Sequence, residues 1–311
     1  MTTRPAPRIE IAAPVAEALA QHRAVVALES TIISHGMPFP QNVTMAAEIE
    51  DLVRANGAVP ATIAVIDGVA RVGLNIEQIN ALADGSVHVH KATTRDLGWL
   101  LAEGLTGATT VAATMFLAHT AGIRVFATGG IGGVHRGAEQ TFDISADLGQ
   151  LAATPVAVVS AGIKSILDIG LTLEHLETLG VPTVVVDHDW YPSFYSRSSA
   201  FPAPRRVADA QAVANLMHAH WDVLGCTTGI SIANPISPTA EIPADDIDSV
   251  IDDALRAADR DGITGQAVTP YLLAAVVERT GGRSLRANIN LVRANAAFAA
   301  QVAVHDMERR S

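Results

Sequence analysis

The sequence predicts an α/β fold, with α/β/α layers around a central sheet that is largely parallel or mixed. Two observations predict it. Short runs of Val, Ile and Ala alternate along the chain with longer amphipathic segments. These short runs are apolar throughout rather than at every second residue, which is typical of a sheet that helices cover on both faces. In such sheets the ligand-binding groups follow the carboxyl ends of the strands.

The predicted elements follow one another along the whole chain. Strands are predicted at 24–28, 61–66, 109–111 or its flank, 125–128, 156–159, 183–186 and 229–233. Helices are predicted at 43–56, 93–103, 111–121, 173–179, 209–224 and 245–261, followed by a mostly helical part over 268–304. The stretch 190–204, rich in proline, serine and aromatic residues, is predicted to be a long loop, of the length that serves as a lid or an oligomer contact.

Composition and charge narrow the range of functions. The 311 residues are 49% hydrophobic and 17% charged, so the chain can bury a large core, and we expect one domain over residues 1–311. The net charge of -11 includes no basic stripe, which argues against a nucleic-acid polymer as partner. A small anion remains possible, because it needs only one local pocket.

The chain also lacks the features of an exported or membrane protein. Its single cysteine, Cys226, excludes an internal disulfide framework, and its N-terminus lacks the pattern of a signal peptide. Apolar stretches are interrupted by Gly, Pro or charge well before the roughly 20 residues that cross a bilayer. The sequence therefore predicts a cytoplasmic protein without a membrane span.

Lys164 is the most informative residue. Apart from Lys91 it is the lone lysine of the central 150 residues, and it follows an apolar strand and the turn Ser160-Ala161-Gly162. We expect a helix to begin at Ser165, which would place the ammonium in a desolvated position at the positive end of a helix dipole. Both effects favour the neutral amine, the form that attacks a carbonyl carbon. A buried ion pair with a carboxylate is the structural alternative.

A glutamate ends another predicted strand. Glu29 follows the apolar residues Ala27 and Leu28 and precedes a loop with glycine and prolines. Desolvation there raises the pKa of a carboxyl group, which would let Glu29 act as a general acid near neutral pH. A strand-end glutamate that caps a helix or pairs with a lysine remains the alternative.

A third cluster lies around Lys91. His88 and His90 alternate before it, but a metal site with this spacing needs a third ligand that the sequence does not place. Lys91, with the hydroxyls of Thr93 and Thr94 near a helix start, offers the donors and the dipole that bind a phosphate. A capped surface helix with a solvated lysine is the alternative.

The fourth cluster combines glycines and aspartates. The run Gly129-Gly130-Ile131-Gly132-Gly133 after a strand permits close approach of a ligand to the backbone, although it matches neither the Walker loop nor the dinucleotide fingerprint. Asp143 and Asp147, with Ser145 between them, could hold a hard divalent cation through oxygen atoms and water. They could equally cap a helix and form salt bridges.

In combination these segments closely resemble, along nearly the whole chain, the pseudouridine-5'-phosphate glycosidases, also known as the indigoidine synthase A-like family. The motifs that carry the resemblance are ALESTIISHGMP from Ala27, His90-Lys91 with Arg95-Asp96, GATTVAATM from Gly107, FATGGIGGVHR from Phe126, FDISADL from Phe142, AGIKSILD from Ala161 and GISIANP from Gly229. One departure is Thr93-Thr94-Arg95-Asp96, where family members often carry Ser-Arg-Arg-Asp, and it puts one anion contact in doubt.

The resemblance implies an α/β/α enzyme that forms homotrimers, uses a divalent metal, typically Mn²⁺, and reversibly cleaves pseudouridine 5'-phosphate to uracil and ribose 5-phosphate. Glu29 is implied as the proton donor, Lys164 as the nucleophile and Asp143 as the metal ligand. The residues implied around the sugar phosphate are Lys91, Thr110, Val111, His135, Ser145, Ala146, Asp147 and Asn288.

The implied chemistry suits these side chains. A C–C glycosidic bond has no leaving oxygen to protonate, so the paired carboxylates of ordinary glycosidases do not suffice, whereas an amine can form an iminium at C1 of the sugar. Two other functions are alternatives to the glycosidase. A Schiff-base aldolase would use the same lysine, but its usual barrel needs eight strand-helix units that this chain does not supply. A non-enzymatic sugar-phosphate sensor would yield no product.

Overall fold

The computed structural model of the protein describes residues 8–263 and 268–310, and it confirms the predicted α/β fold. The strands are β1 (Arg8–Ile11), β2 (Val25–Leu28), β3 (Val59–Ile66), β4 (Val69–Val72), β5 (His90–Ala92), β6 (Gly107–Thr109), β7 (Val125–Ala127), β8 (Val134–His135), β9 (Ala157–Ser160), β10 (Leu167–Asp168), β11 (Thr183–Val186), β12 (Arg206–Val207) and β13 (Ile230–Ala233).

Helices flank this sheet. They are α1 (Ala13–Ala20), α2 (Thr31–His35), α3 (Gln41–Ala55), α4 (Ile76–Ala83), α5 (Thr94–Glu103), α6 (Val111–Thr120), α7 (Ala138–Thr141), α8 (Ala146–Ala153), α9 (Ile169–Thr178), α10 (Ala210–Met217), α11 (Ala244–Arg260), α12 (Val268–Arg279) and α13 (Arg283–Arg310). A π-helical segment over His218–Val223 continues α10.

The large sheet is mixed but mostly parallel. Its strand order is β1-β4-β3-β2-β7-β9-β13-β11-β12, with β5 joined through β6 to β3, and only the β3–β4 and β3–β6 pairs are antiparallel within it. Because the path ends at β1 and at β12, the described strands do not close into the barrel that a typical Schiff-base aldolase would need.

The chain leaves the middle of the sheet in two directions. From β2 it proceeds to the neighbouring β3, whereas from β7, on the other side of β2, it proceeds to β9, which lies farther from β2, and β13 lies beyond β9 in the sheet. In open α/β sheets such a change of direction opens a crevice at the carboxyl ends of the strands, where ligands bind. The crevice here lies beyond β2, β7 and β9.

The core explains why these segments are strands. β2, β7 and β9 are buried along their whole length, and the residues of β3 between its two ends are buried as well. This continuous burial is the reason that their sequences are apolar throughout rather than alternating. All seven predicted strands and all six predicted helices overlap an observed element, so the predicted order is confirmed.

One local prediction is wrong. No helix begins at Ser165: a turn closed by the Leu167 amide and the Lys164 carbonyl (2.9 Å) leads into β10, and α9 begins at Ile169. Asp168 stops an earlier start because its side chain caps α9 by accepting a hydrogen bond from the Leu171 amide (2.8 Å). The strand predicted at 109–111 or its flank is β6, which ends at Thr109, and Thr110 is the N-cap of α6.

The stretch 190–204 is an irregular segment, as predicted, but it is anchored to the core. Tyr191, Phe194 and Tyr195 are 0 to 2% exposed, so the segment is not a loose flap over the protein. Its role as an oligomer contact stays a prediction. Among the described residues, no helix combines the length and the apolarity needed to cross a membrane.

Candidate active site

A cavity of about 470 Å³ opens at the crevice beyond β2, β7 and β9. It brings together every residue that the family resemblance implies for catalysis, binding or metal coordination, whereas His88, His90 and Thr94 do not line it. Those lining residues are Glu29, Lys91, Thr110, Val111, His135, Asp143, Ser145, Ala146, Asp147, Lys164 and Asn288. Residues separated by more than 250 positions in the sequence therefore share one site.

Glu29 lies directly after β2, where the strand delivers its carboxyl group into the cavity. Burial raises its pKa, while the positive charge of Lys164 and a hydrogen bond from the Thr128 hydroxyl partly oppose that rise. The predicted direction of the shift is therefore confirmed. A carboxyl group with a raised pKa holds its proton closer to neutral pH, which is the property of a general acid.

Thr128, which orients Glu29, is itself held by a buried polar chain. It is 2% exposed, and its carbonyl oxygen accepts a hydrogen bond from the amide nitrogen of Asn295 on α13 (2.8 Å). The side-chain oxygen of Asn295 in turn accepts a hydrogen bond from Asn234, the residue that follows β13 (3.1 Å). The C-terminal helix is thereby tied to the strand ends that carry the site.

Lys164 follows β9 and is partly exposed, and its amine lines the cavity. Because α9 begins five residues later, the expected helix dipole does not act on this lysine. Within the cavity, the positive charge of Lys164 lowers the pKa values of Glu29, Lys91 and His135. The amine of Lys164 is therefore electrostatically coupled to the carboxyl group of Glu29.

The chain contains only two lysines, and both of them line this cavity. Lys91 lies in β5 and is partly buried. Burial lowers the pKa of Lys91, and so does the nearby charge of Lys164, while Asp147 and Glu29 act in the opposite direction. A mixed set of two amines and several carboxylates in a shielded cavity is typical of a catalytic site.

The threonines after Lys91 have structural roles. The amide and the hydroxyl of Thr93 both donate to Asp96 (2.8 Å each), which caps the start of α5, and the Thr94 hydroxyl donates to Gln150 (2.8 Å). The capped-helix alternative therefore holds for these two hydroxyls, whereas Lys91 itself faces the cavity. His90 stacks edge-on against Trp99, with ring centres 5.0 Å apart.

Two helices start at the cavity wall. Thr110 and Ser145 are the N-caps of α6 and α8, so Val111 and Ala146 begin those helices at the site. The first amides of a helix have no partner within it and carry partial positive charge, which makes paired helix starts suited to an anion. The Thr110 hydroxyl is buried without a hydrogen-bond partner, so it is available to a bound ligand.

Asp147 joins these two helix starts to the glycine-rich loop. One carboxylate oxygen accepts from the Ala112 amide of α6 (2.9 Å) and the other from the Gly132 amide (2.8 Å). Gly132 has to be glycine because a Cβ atom there would lie 2.7 Å from the Asp147 carboxylate. Asp147 thus has the capping role that the sequence left open, and it shapes the wall around any ligand.

Asp143 is the remaining candidate metal ligand. Its carboxylate is 38% exposed and lies 3.9 Å from the Nδ1 atom of His135, whose pKa is lowered by burial. Within the described ranges, no group of three or more His, Cys, Asp or Glu side chains converges on one point. This donor set suits a hard cation that keeps most of its waters and takes oxygen atoms from the substrate, rather than an all-protein metal cage.

Several lining residues were not singled out as site residues from the sequence. They come from α2, the 190–204 segment and the start of α12, and include Thr31, Ile32, His35, Phe194, Thr269, Pro270 and Leu273. Desolvation and the positive charge of Lys91 lower the pKa of His35, which favours its neutral imidazole. Most of these side chains are apolar or small, so their types alone gave no signal of chemistry.

Comparison with known proteins agrees with this geometry. Residues 14–305 match the family model described as indigoidine synthase A like protein. The chain belongs to that family. The match includes every strand of the sheet except β1, the residues of the cavity and most of the C-terminal helix.

Two curated relatives of this chain carry the name pseudouridine-5'-phosphate glycosidase. A protein of Nocardioides sp. named pseudouridine-5'-phosphate glycosidase is 58% identical over 301 residues, which cover 97% of each chain. A Deinococcus radiodurans protein of the same name is 57% identical over 295 residues, covering 95% of this chain and 94% of the relative.

Solved structures of the family share the fold. The prealnumycin C-glycosynthase AlnA, in complex with ribulose 5-phosphate, superposes with a TM-score of 0.90 at 38% identity and covers 98% of this chain and 99% of its own. An indigoidine synthase A-like protein from Thermotoga maritima has a TM-score of 0.86 at 32% identity, covering 98% of each chain.

Proposed function

We propose that this protein reversibly cleaves the C–C glycosidic bond of pseudouridine 5'-phosphate to give uracil and ribose 5-phosphate, through an imine between Lys164 and the opened ribose. The observation that carries the proposal is that Glu29 and Lys164 lie in one cavity and are electrostatically coupled there. The names of the relatives support the substrate, and the C-glycosynthase relative supports chemistry on a C–C glycosidic bond.

The charges of the cavity suggest how the substrate lies. Lys91 and the starts of α6 and α8 form an end rich in donors for an anion, where the 5'-phosphate would bind. Glu29 and Lys164 would then face C1 of the ribose. The base would extend toward the wall that the start of α12 and Asn288 provide.

The first half of the reaction opens the sugar ring. Glu29 donates its proton to the ring oxygen as the bond from that oxygen to C1 breaks, and electrons from the pyrimidine ring compensate at C1. The neutral amine of Lys164 then attacks C1 and loses a proton to its surroundings. This sequence needs a protonated acid beside an unprotonated amine, and the raised pKa of Glu29 favours the protonated acid.

The second half releases the two products in turn. A proton added to the pyrimidine carbon that bears the sugar allows the C–C bond to break, and its electron pair stays with the base, which leaves as uracil. The sugar remains attached to Lys164 as an iminium. Water adds to C1, the lysine leaves as an amine, and ribose 5-phosphate is free to depart.

The family resemblance implies a divalent cation, typically Mn²⁺. Asp143 would hold this cation, and water molecules would supply most of its other ligands. When bound it supplies positive charge that organises oxygen atoms and offsets negative charge. His135, next to Asp143, would help to fix the orientation of that carboxylate.

The proposal is tested by incubating the protein with Mn²⁺, uracil and ribose 5-phosphate and following the ultraviolet spectrum. We expect formation of pseudouridine 5'-phosphate. If ribose 5-phosphate binds but no C-nucleotide forms, the protein is a sugar-phosphate sensor and the proposal is wrong. The homotrimeric assembly, the single domain and the cytoplasmic location stay predictions.

A further inference from the structure

A second cavity of about 410 Å³ lies behind the active site. The two cavities share five lining residues, which form what we call the shared wall: His35, Gly36, Pro270, Leu273 and Asn288. Neither Glu29, Lys164 nor Lys91 lines the second cavity. The rear cavity therefore borders the active site at the shared wall and is lined by none of these three charged residues.

The two cavities differ in charge. The active cavity contains Lys91, Arg95 and Lys164 beside the acidic residues Glu29, Asp143 and Asp147, whereas none of the fourteen described residues that line the rear cavity is Lys or Arg. The rear cavity instead carries the carboxylate of Glu278. Of the two cavities, only the active one therefore offers basic side chains to a phosphate, and the Glu278 carboxylate disfavours an anion in the rear cavity.

The rear cavity also has the surface that a flat heterocycle needs. Most of its lining is apolar, contributed by Met37, Pro38, Leu273, Ala274, Val277 and Leu285. Two buried polar atoms on this lining, Ser34 Oγ and Asn288 Oδ1, have no hydrogen-bond partner within the protein. An apolar pocket with a few unpaired polar atoms is typical of a site for a small, mostly planar ligand with a polar edge.

We propose that the rear cavity binds the free pyrimidine base and serves as its route to and from the active site. This inference rests on the proposed function, in which the base departs while the sugar phosphate is still joined to Lys164. The attached sugar then occupies the front of the cavity, so the base needs a path that does not pass it. The shared wall is where the base would cross.

The inference is tested with Ala274, an exposed residue of α12 that lines the rear cavity but not the active cavity. Ala274→Trp fills the rear cavity, and Ala274→Leu fills part of it. Arg279→Trp is the matched control because it places the same side chain on the same helix, at an exposed position outside both cavities. Thermal unfolding checks that each variant is folded.

The measurement is the synthesis reaction, with kcat/KM determined separately for uracil and for ribose 5-phosphate. For Ala274→Trp we expect kcat/KM for uracil to fall about tenfold and that for ribose 5-phosphate to stay within about twofold, because only the encounter with the base is obstructed. Ala274→Leu should fall between, and Arg279→Trp should match the wild type.

Unchanged constants in Ala274→Trp, or an equal fall for both substrates, would overturn the assignment of the rear cavity while leaving the proposed function intact. A wild-type protein that forms no C-nucleotide would overturn the proposed function, and with it the assignment of a pyrimidine base to this cavity.

Discussion

The front and the rear of the active cavity are built in different ways. At the front, Lys91 lies in β5 and Glu29 directly follows β2, while Lys164 follows β9 after a short turn and its backbone amide donates to the Ile131 carbonyl (3.1 Å), so backbone hydrogen bonds of the sheet and its loops fix their positions. At the rear, His35, Leu273 and Asn288 come from three helices, whose positions depend on side-chain packing. The comparison suggests that the sheet holds the groups that make and break bonds, whereas the helices shape the space for the base.

The largest effect is expected from removing the amine at the front. Lys164→Ala eliminates the nucleophile, so turnover should fall at least about a thousandfold in the ultraviolet assay. Lys91→Ala is the matched control, because it removes the only other lysine from the same cavity. It should mainly raise KM for the sugar phosphate. A Lys164→Ala variant with more than a tenth of the wild-type rate would break the comparison.

Glu29→Gln should lower kcat by about 10²- to 10⁴-fold, the usual contribution of a general acid. In the wild type, the pKa of Glu29 is raised by burial, so the protonated acid persists above the ordinary range of a glutamate. The rate should therefore fall as pH rises through that raised pKa. Glu177→Gln, an exposed substitution on α9, is the control and should leave the pH profile of the rate unchanged. A wild-type pH profile in Glu29→Gln would contradict the role of Glu29 as general acid.

Thr128→Val sharpens the account of how the acid is held. It removes the hydroxyl that donates to Glu29, a hydrogen bond that favours the carboxylate and so lowers its pKa. Its loss should raise the pKa of Glu29 further and move the descending limb of the kcat profile to higher pH, with kcat reduced about tenfold. Thr128→Ser keeps the donor and should restore the wild-type profile. Superimposable profiles for the wild type and the valine variant would show that Thr128 does not tune the acid.

A smaller effect, on stability, is expected where Asn295 of α13 bonds the Thr128 carbonyl next to Glu29. Asn295→Ala leaves the Thr128 carbonyl and the Asn234 amide without their buried partner, which should lower the free energy of unfolding by about 1 to 3 kcal/mol. Asn290→Ala, at an exposed position of the same helix, should change it by less than about 0.5 kcal/mol. Chemical denaturation compares the two variants, and equal stabilities would contradict the supporting role of Asn295.

The contrast between groups held by the sheet and groups held by helices also explains which site residues could be predicted from the sequence. Apolar runs revealed the strands, and a charged residue after an apolar run identified Glu29 and Lys164, because a charge at the end of a buried strand is seldom there for stability alone. The recognised family motifs added Thr110, Ser145 and Asn288, residue types that are too common to be informative by themselves.

What the sequence did not reveal depends on tertiary packing. The apolar pattern after Lys164 fits a helix that begins at Ser165. The start of α9 at Ile169 instead depends on its cap, in which the Asp168 side chain accepts a hydrogen bond from the Leu171 amide. His35 and Leu273 line the cavity only because α2 and α12 meet beside it. Asp147 illustrates the third case: its type fitted a metal ligand and a helix cap equally well, and the structure decides for the cap because both of its oxygens accept from backbone amides.

The most direct test of the central claim is borohydride reduction of the wild-type protein in the presence of ribose 5-phosphate, followed by peptide mass mapping. Because the chain contains only two lysines, the position of an adduct is unambiguous. We predict one reduced sugar phosphate on Lys164 and none on Lys91. An adduct on Lys91 instead, or an active enzyme that traps no sugar, would contradict the claim that Lys164 joins the opened ribose.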